Sequence, residues 1–203
     1  YEALGTSELA GGRWADAEKH LRVADEIRPG ERETLTGLGF ARLQMGRNEG
    51  AVEPLRKVVD LYPEDASSRF LLAEALQRTG GVSSEVLSLL EDAVRLGPAM
   101  EKPRIALAWA LATAPDATLR DPARARTLAE ASVARTGRKD IAALNTLGAA
   151  EAAAGDYVKA VEATTAAIAL ARASHQDSLA RKLEPQLALY RSGRPYVETA
   201  AAR

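Results

Sequence analysis

Apolar residues recur along this chain in short stripes, most of them closed by a glycine. Leu35, Leu38 and Leu43 fall on one side of a helix, and Gly46 follows where a helix of that phase can stop in a left-handed turn. A second stripe, Leu55 and Val58, begins at once. The pattern therefore predicts pairs of helices joined by tight turns, with no period-two alternation that would mark strands. Near the C-terminus, Leu179, Leu183 and Leu187 are spaced four apart, with Leu189 and Tyr190 beside them, and Ser192-Gly193 ends the run. This predicts a last helix at 175–192 and a tail at 193–203, with Pro185 expected to perturb the helix midway.

The stripes repeat. Leu4-Gly5, Gly12, Trp14, Ala17, Leu21, Ala24 and Pro29 return as Leu38-Gly39, Gly46, Asn48, Ala51, Leu55, Val58 and Pro63, a shift of 34 residues at every position. A third copy runs through Leu72-Ala73, Gly80, Val86, Leu90, Ala93 and Pro98, with one residue inserted at Gly80-Gly81. A fifth runs through Leu147-Gly148, Gly155, Tyr157, Ala160 and Ala167. Between them the fourth copy, Leu107-Ala108-Trp109, replaces the turn glycine by Pro115 and lengthens the link through 114–121. That link is expected to displace the helix pair locally. Asp121 before Pro122 reads as an N-cap followed by proline at the first helical position, so the next helix should start there. Gly5, Gly39 and Gly148, with Ala73 and Ala108, share one repeat position, and Ala17, Ala51 and Ala160 share another; small side chains at both let two helices approach closely.

Leucine-glycine, then glycine-x-aromatic, then alanine and proline at this period resembles the tetratricopeptide repeat family, whose unit is two antiparallel helices. The stretch from Leu107 through Tyr196 further resembles the terminal module of bacterial multidomain proteins of that family. The resemblance implies an all-α, right-handed superhelical solenoid of about five helix pairs over 1–174, closed by a C-terminal capping helix at 175–192. Tyr1 stands where Leu35 stands in the second copy, so the first repeat is expected to be truncated and helices are expected upstream.

Composition agrees with helices: 46% hydrophobic residues but only 4% aromatic, with alanine, leucine, arginine and glutamate abundant. A net charge of -1, from 27 basic and 28 acidic residues, supplies no field to attract nucleic acid. No apolar run approaches the ~20 residues that span a bilayer, so no membrane insertion is expected. Cysteine is absent, which removes thiolate metal sites and cysteine nucleophiles and leaves cytoplasm and periplasm equally open.

Catalytic chemistry finds no foothold in the sequence. His20 and His175 lie in different repeats without metal-ligand spacing, and both are expected on helix surfaces. Gly11-Gly12, Gly80-Gly81 and Gly193 read as helix stops, since no strand precedes them to make a phosphate loop. Asp25-Glu26, Glu64-Asp65 and Glu91-Asp92 are adjacent pairs that diverge on a helix and are expected to face solvent. No enzyme, metal site or cofactor is therefore expected.

What remains is the concave groove that the family resemblance implies. Its lining positions map onto Thr6, Thr36, Phe40, Gln44, Phe70, Glu74, Gln77, Lys102, Ile105, Trp109, Asn145 and Ala149. Of these, Phe40, Gln44, Phe70, Glu74, Gln77, Lys102, Trp109 and Asn145 are the candidate contacts for a protein or peptide partner. Both phenylalanines and one of the two tryptophans fall among them, either as anchors for a partner or as packing between repeats. The places where family members carry a clamp for a peptide carboxylate hold Glu2, Thr6, Gly37, Ser67 and Leu71, so that clamp is missing. The expected function is a non-enzymatic protein-interaction module; the alternative is a structural or oligomerising appendage of a larger chain with its groove unused.

Overall fold

The computed structural model describes residues 1–198, and among these it is all-helical, with no strand. The chain divides into two compact units, Tyr1–Pro98 and, among the described residues, 99–198. The first holds α1 (Glu2–Ala10), α2 (Trp14–Ile27), α3 (Arg32–Gln44), α4 (Asn48–Leu61), α5 (Ala66–Gly80) and α6 (Ser84–Leu96). The second holds α7 (Glu101–Thr113), α8 (Pro122–Arg135), α9 (Ile141–Ala153), α10 (Tyr157–Ala173) and α11 (Asp177–Arg191). Within each unit consecutive helices pack pairwise, and α1 touches α3, α3 touches α5 and α7 touches α9.

In the first, second and fifth pairs the turn follows from its glycine. Gly46 has φ of +73°, and the next amide, Arg47 N–H, reaches back to Arg42 O at 2.9 Å, closing the left-handed turn that satisfies the last carbonyls of α3. Gly12 and Gly155 repeat this geometry, with Arg13 N–H on Glu8 O and Asp156 N–H on Glu151 O. After α10 the same left-handed position is held by His175, with φ of +57°. His175 thus sits in a turn rather than on a helix surface, contrary to the sequence reading.

The starts of α5, α6, α8, α9 and α10 are set by short acidic or hydroxyl side chains. Asp121 accepts from Arg124 N at 3.0 Å with Pro122 opening α8, as its spacing predicts. Asp65, expected to be a solvated carboxylate, instead caps α5 by accepting from Ser67 N and Ser68 N. The long fourth link is taken up by a 3-10 turn, Ala117–Leu119, and Asp121 N–H closes it onto Leu111 O.

Close approach between paired helices rests on the small residues. A Cβ built on Gly39 would meet Leu55 Cγ at 2.4 Å, and one on Gly5 would meet Leu21 Cγ at 2.6 Å. Leu21 and Leu55 are themselves fully buried, as are Ala17, Ala51 and Ala160. The core of the first unit gathers Ala17, Leu21, Leu35, Leu38 and Val58, and that of the second gathers Val133, Ala143, Leu144, Ala167, Ile168 and Ala171 with Ala180, Leu183 and Leu187.

The last three of these residues dock α11 on α10, but the buried stripe is not the one expected. It runs Ala180, Leu183, Leu187 and Tyr190, while Leu179 is only half-buried. A strict four-residue step advances about 40° per turn off the contact face, whereas alternating three- and four-residue steps stay on it. Pro185 is exposed and α11 runs through it unbroken.

Pro54, buried inside α4, has a subtler effect. Without an N–H it leaves the Gly50 carbonyl, one turn earlier, short of its helical donor. Arg42 of α3 supplies the replacement: Nη1 donates to Gly50 O at 2.7 Å while Nε donates to Glu18 Oε1 of α2 at 2.8 Å. Replacing Arg42 by methionine is expected to cost about 1–3 kcal/mol, the range for a polar group losing its partner. Urea denaturation should register a smaller loss when Pro54→Ala is already present, because the alanine amide restores the ladder bond. Equal losses in both backgrounds would mean that Gly50 gains nothing from Arg42.

Candidate functional site

The candidate residues divide between the units. In the first, Phe40 and Gln44 lie on α3 and Phe70, Glu74 and Gln77 on the adjoining α5. The two helices are tied by Thr36 Oγ1 against Ser68 Oγ at 3.0 Å and by Arg78, whose Nη1 donates to Leu43 O at 3.2 Å while Nη2 pairs with Glu74. Gln44 is exposed, and Phe70, Glu74 and Gln77 are half-buried. Phe40 is half-buried too, but its ring meets Trp14 of α2 edge-on, with centroids 5.7 Å apart. Part of Phe40 is therefore committed to helix packing, as the alternative reading of the aromatics allowed.

In the second unit Lys102 on α7 is exposed, and Asn145 on α9 is half-buried with an Oδ1 that has no hydrogen-bond partner. Ile105 is half-buried and packs against the core, and Ala149 is buried and offers no surface to a partner. Trp109 is covered from above. The chain leaves α11 through Gly193 and returns so that Tyr196 lies 5.6 Å, centroid to centroid, from the Trp109 ring. Trp109 Nε1–H donates to Glu198 Oε1 at 2.6 Å, and Glu198 N–H donates to Thr113 O, at the end of α7, at 2.8 Å. Burial raises the Tyr196 phenol pKa, with the Glu198 charge adding to it.

Two acidic side chains that carry no signal in the sequence are buried. Glu8 is 5% exposed and its Oε2 lies 2.7 Å from His20 Nδ1, so His20 ties α2 to α1 instead of standing free on a surface. Glu151 on α9 is 2% exposed and lies against Arg126, with Nε to Oε2 at 3.0 Å. It borders a recess of about 430 Å³ together with Glu130, Glu162, Arg138 and Lys159. The described residues contain no group of three or more histidine or acidic side chains placed to hold a metal. None of their helices is long and apolar enough to cross a membrane.

Opposite pH signatures follow from Glu151 and Glu101. Burial holds the Glu151 pKa above the usual carboxylate value despite the charges of Arg126 and Lys159, with Asp156 and Glu130 reinforcing the rise. The folded state therefore keeps a proton the unfolded chain has lost, and stability falls as pH rises from about 4.5 through the folded value. At Glu101, burial pushes the pKa up, but the hydrogen bond from Arg104 and the charges of Arg104 and Arg135 outweigh it and hold it below the usual value. Its contribution is present above about pH 4.5 and is lost as pH falls through the folded value. Denaturation midpoints at pH 4 and pH 7 should show Glu151→Gln gaining on the parent chain at the higher pH and Glu101→Gln losing ground there. The same sign for both variants would contradict the assigned environments.

Residues 36–101 match the family model described as tetratricopeptide repeat. Among solved structures, the chain is similar to MamA 41-end from Desulfovibrio magneticus RS-1, at 20% identity and TM-score 0.68, covering 85% of this chain and 94% of that one. It is also similar to TTC0263, a thermophilic TPR protein in Thermus thermophilus, at 19% identity and TM-score 0.62, covering 94% and 96%. Pseudomonas aeruginosa pilF is a third, at 21% identity and TM-score 0.62, covering 92% and 88%. No curated protein sequence matches the chain.

Proposed function

We propose that this chain, which resembles tetratricopeptide repeat proteins in fold and matches that family's model over residues 36–101, is a non-enzymatic module that binds a segment of another protein. The observation that carries the reading is the α3–α5 face. There Phe70 and part of Phe40 stand half-buried among Gln44, Glu74 and Gln77, an apolar anchor rimmed by polar groups that suits an interface. Lys102 and Asn145 are the corresponding contacts of the second unit, with Trp109 added where Tyr196 and Glu198 leave it. The near-neutral net charge of -1 favours a mixed polar and apolar partner over a strongly charged one.

Alanine at Phe70 is the direct test, because this side chain is not held by the ring contact that commits Phe40. Partner captured from native lysate should fall about tenfold with Phe70→Ala, which corresponds to loss of roughly 1.4 kcal/mol of binding, while the melting temperature stays close to that of the parent. Unchanged capture would remove Phe70 from the contact surface.

The second reading, an appendage that packs against other copies or domains, draws on a separate observation. Ile27 and Leu61 occupy the same repeat position at the ends of α2 and α4 and are 64% and 55% exposed. A paired apolar position left open is a natural contact for another protein surface. Light scattering on the chain and on an Ile27→Glu, Leu61→Glu variant discriminates between them: self-association lost in the variant supports the appendage, and a monomer in both supports the binding module.

A further inference from the structure

Residues 194–198 have no regular structure, yet they are placed by contacts of the kinds a bound peptide makes. A backbone amide, Glu198 N–H, meets the carbonyl of Thr113, one of the last in α7 and without a partner inside its helix. A carboxylate, Glu198 Oε1, accepts from the Trp109 indole. An aromatic ring, Tyr196, leans on Trp109 at 42° and packs against the cluster of Ala152, Ala160 and Tyr190 at the end of α9, the start of α10 and the end of α11. We propose that the surface made by Trp109, Thr113 and this cluster is a binding site for a non-helical protein segment carrying an aromatic residue followed two positions later by a carboxylate, and that the chain's own Tyr196–Glu198 occupies it in cis.

The strength of these contacts makes this occupant displaceable, and the tether sets how much an external segment must overcome. Tyr196, Val197 and Glu198 are half-buried, whereas Arg194 and Pro195 are exposed. The hydrogen bonds to Trp109 and Thr113 and the ring contact at the end of the segment are each individually modest in net effect. Before them, Arg194 N–H bonds to Leu189 O and its Nε to Ser192 Oγ, contacts that finish α11 without reaching α7. Gly193, at φ of +69°, turns the chain back toward α7. A short tether presents its segment at an effective concentration on the order of millimolar, so an external segment of the same chemistry competes with it and does not meet an irreversible block. The Thr113 carbonyl and indole N–H fix where the backbone and the acid must sit, and the ring cluster fixes the aromatic position. The proposal rests on the interaction reading only in treating the second unit as a binding surface, and it does not depend on Phe70.

Trp109 reports on its own site once Trp14→Phe has removed the other of the two tryptophans. In that background, Tyr196→Ala with Glu198→Ala frees the site in the otherwise intact chain. A capped synthetic peptide of residues 192–198, added while indole emission is followed, should bind the double variant at least about tenfold more tightly than the tail-intact chain, the factor expected when the site is nine-tenths occupied in cis. The same peptide with alanine at its tyrosine and glutamate positions should not bind, and Phe70→Ala should leave the titration unchanged. Equal affinity for both chains, or no binding to the double variant, overturns the proposal. So does a fall of more than about 5 °C in the melting temperature of the double variant, since the segment would then be a structural strap. Concentration-dependent dimerisation of the tail-intact chain that disappears in Glu198→Arg also overturns it, by giving the site to the tail of a second copy.

Discussion

Ending the chain after Ser174 is expected to leave the second unit unstable or aggregated. The reason lies in what α11 covers. Ala180, Leu183 and Leu187 complete the core against Ala167, Ile168 and Ala171, and Tyr190, 1% exposed, closes a second cluster over Ala152 and Ala160. Burying two leucines and a tyrosine at about 1.5–3 kcal/mol each gives about 5–9 kcal/mol as an upper bound, comparable with the whole stability of a domain. The Tyr190 hydroxyl reduces its share, because it is buried without a hydrogen-bond partner, and burial raises the phenol pKa. We expect residues 1–174 to melt at least 10 °C below the full chain or to elute as aggregates on size exclusion, since roughly 2–4 °C accompanies each kcal/mol at this chain length. A monomer with an unaltered melt would show that α11 closes nothing. A gentler version, Leu183→Asp in the full chain, should give a large loss by placing a carboxylate in the same core.

The second large effect is expected at Gly39. Leucine there has no room, since even a Cβ would lie 2.4 Å from Cγ of Leu55 and 2.9 Å or less from both of its methyls. Leu55 is fully buried, and its branched carbon cannot swing aside as the end of a long side chain can. Helices α3 and α4 would have to separate, at a cost of about 3 kcal/mol or more for overpacking. Alanine at Gly39 gains at most about 1 kcal/mol of helix propensity and should still be destabilising on balance. Gly50 is the control: its added Cβ meets only Arg42 Cδ at 3.6 Å, an ordinary contact, so Gly50→Ala should stabilise by about 0.5–1 kcal/mol. Guanidinium titrations of the three variants check the ranking. If Gly39→Ala were the more stable of the two alanine variants, the close approach of α3 and α4 would not be what fixes glycine here.

Such positions are legible in the repeat itself. Gly39 and Ala51 recur in phase because every pair meets the same steric demand, and Asp121-Pro122 is a local signal that needs nothing beyond its own turn. Long-range partners leave no comparable trace. Trp109 stands out as a rare aromatic, but its contact with Glu198 crosses 89 residues, and nothing in either neighbourhood announces the other. Glu8 and His20 lie in neighbouring helices, yet their pairing depends on which faces meet. Leu179 departs from expectation for a local reason: the docking stripe drifts with the 3.6-residue period, and the leucine spacing of four does not. The adjacent carboxylates mislead in the same way, since Asp65 has its use in the backbone next to it and not in solvent.

Arg42 gives the first two helix pairs a shared fate. In an array of repeats each module ordinarily has its own opening equilibrium, modified only by contact with its neighbours. Here a bond that α4 lacks because of Pro54 is completed from α3, and the same guanidinium is anchored on Glu18 of α2. Fraying of α2 therefore loosens the arginine that finishes α4, and opening of α4 loosens both arginines, Arg42 and Arg47, that pair with Glu18. Amide exchange should show the protected amides of α2 and α4 exchanging with a common free energy and a common denaturant dependence. Cooperativity across that junction thus draws on Arg42, beside the Arg47–Glu18 pair at the start of α4, and a proline that weakens its own helix strengthens the coupling between repeats.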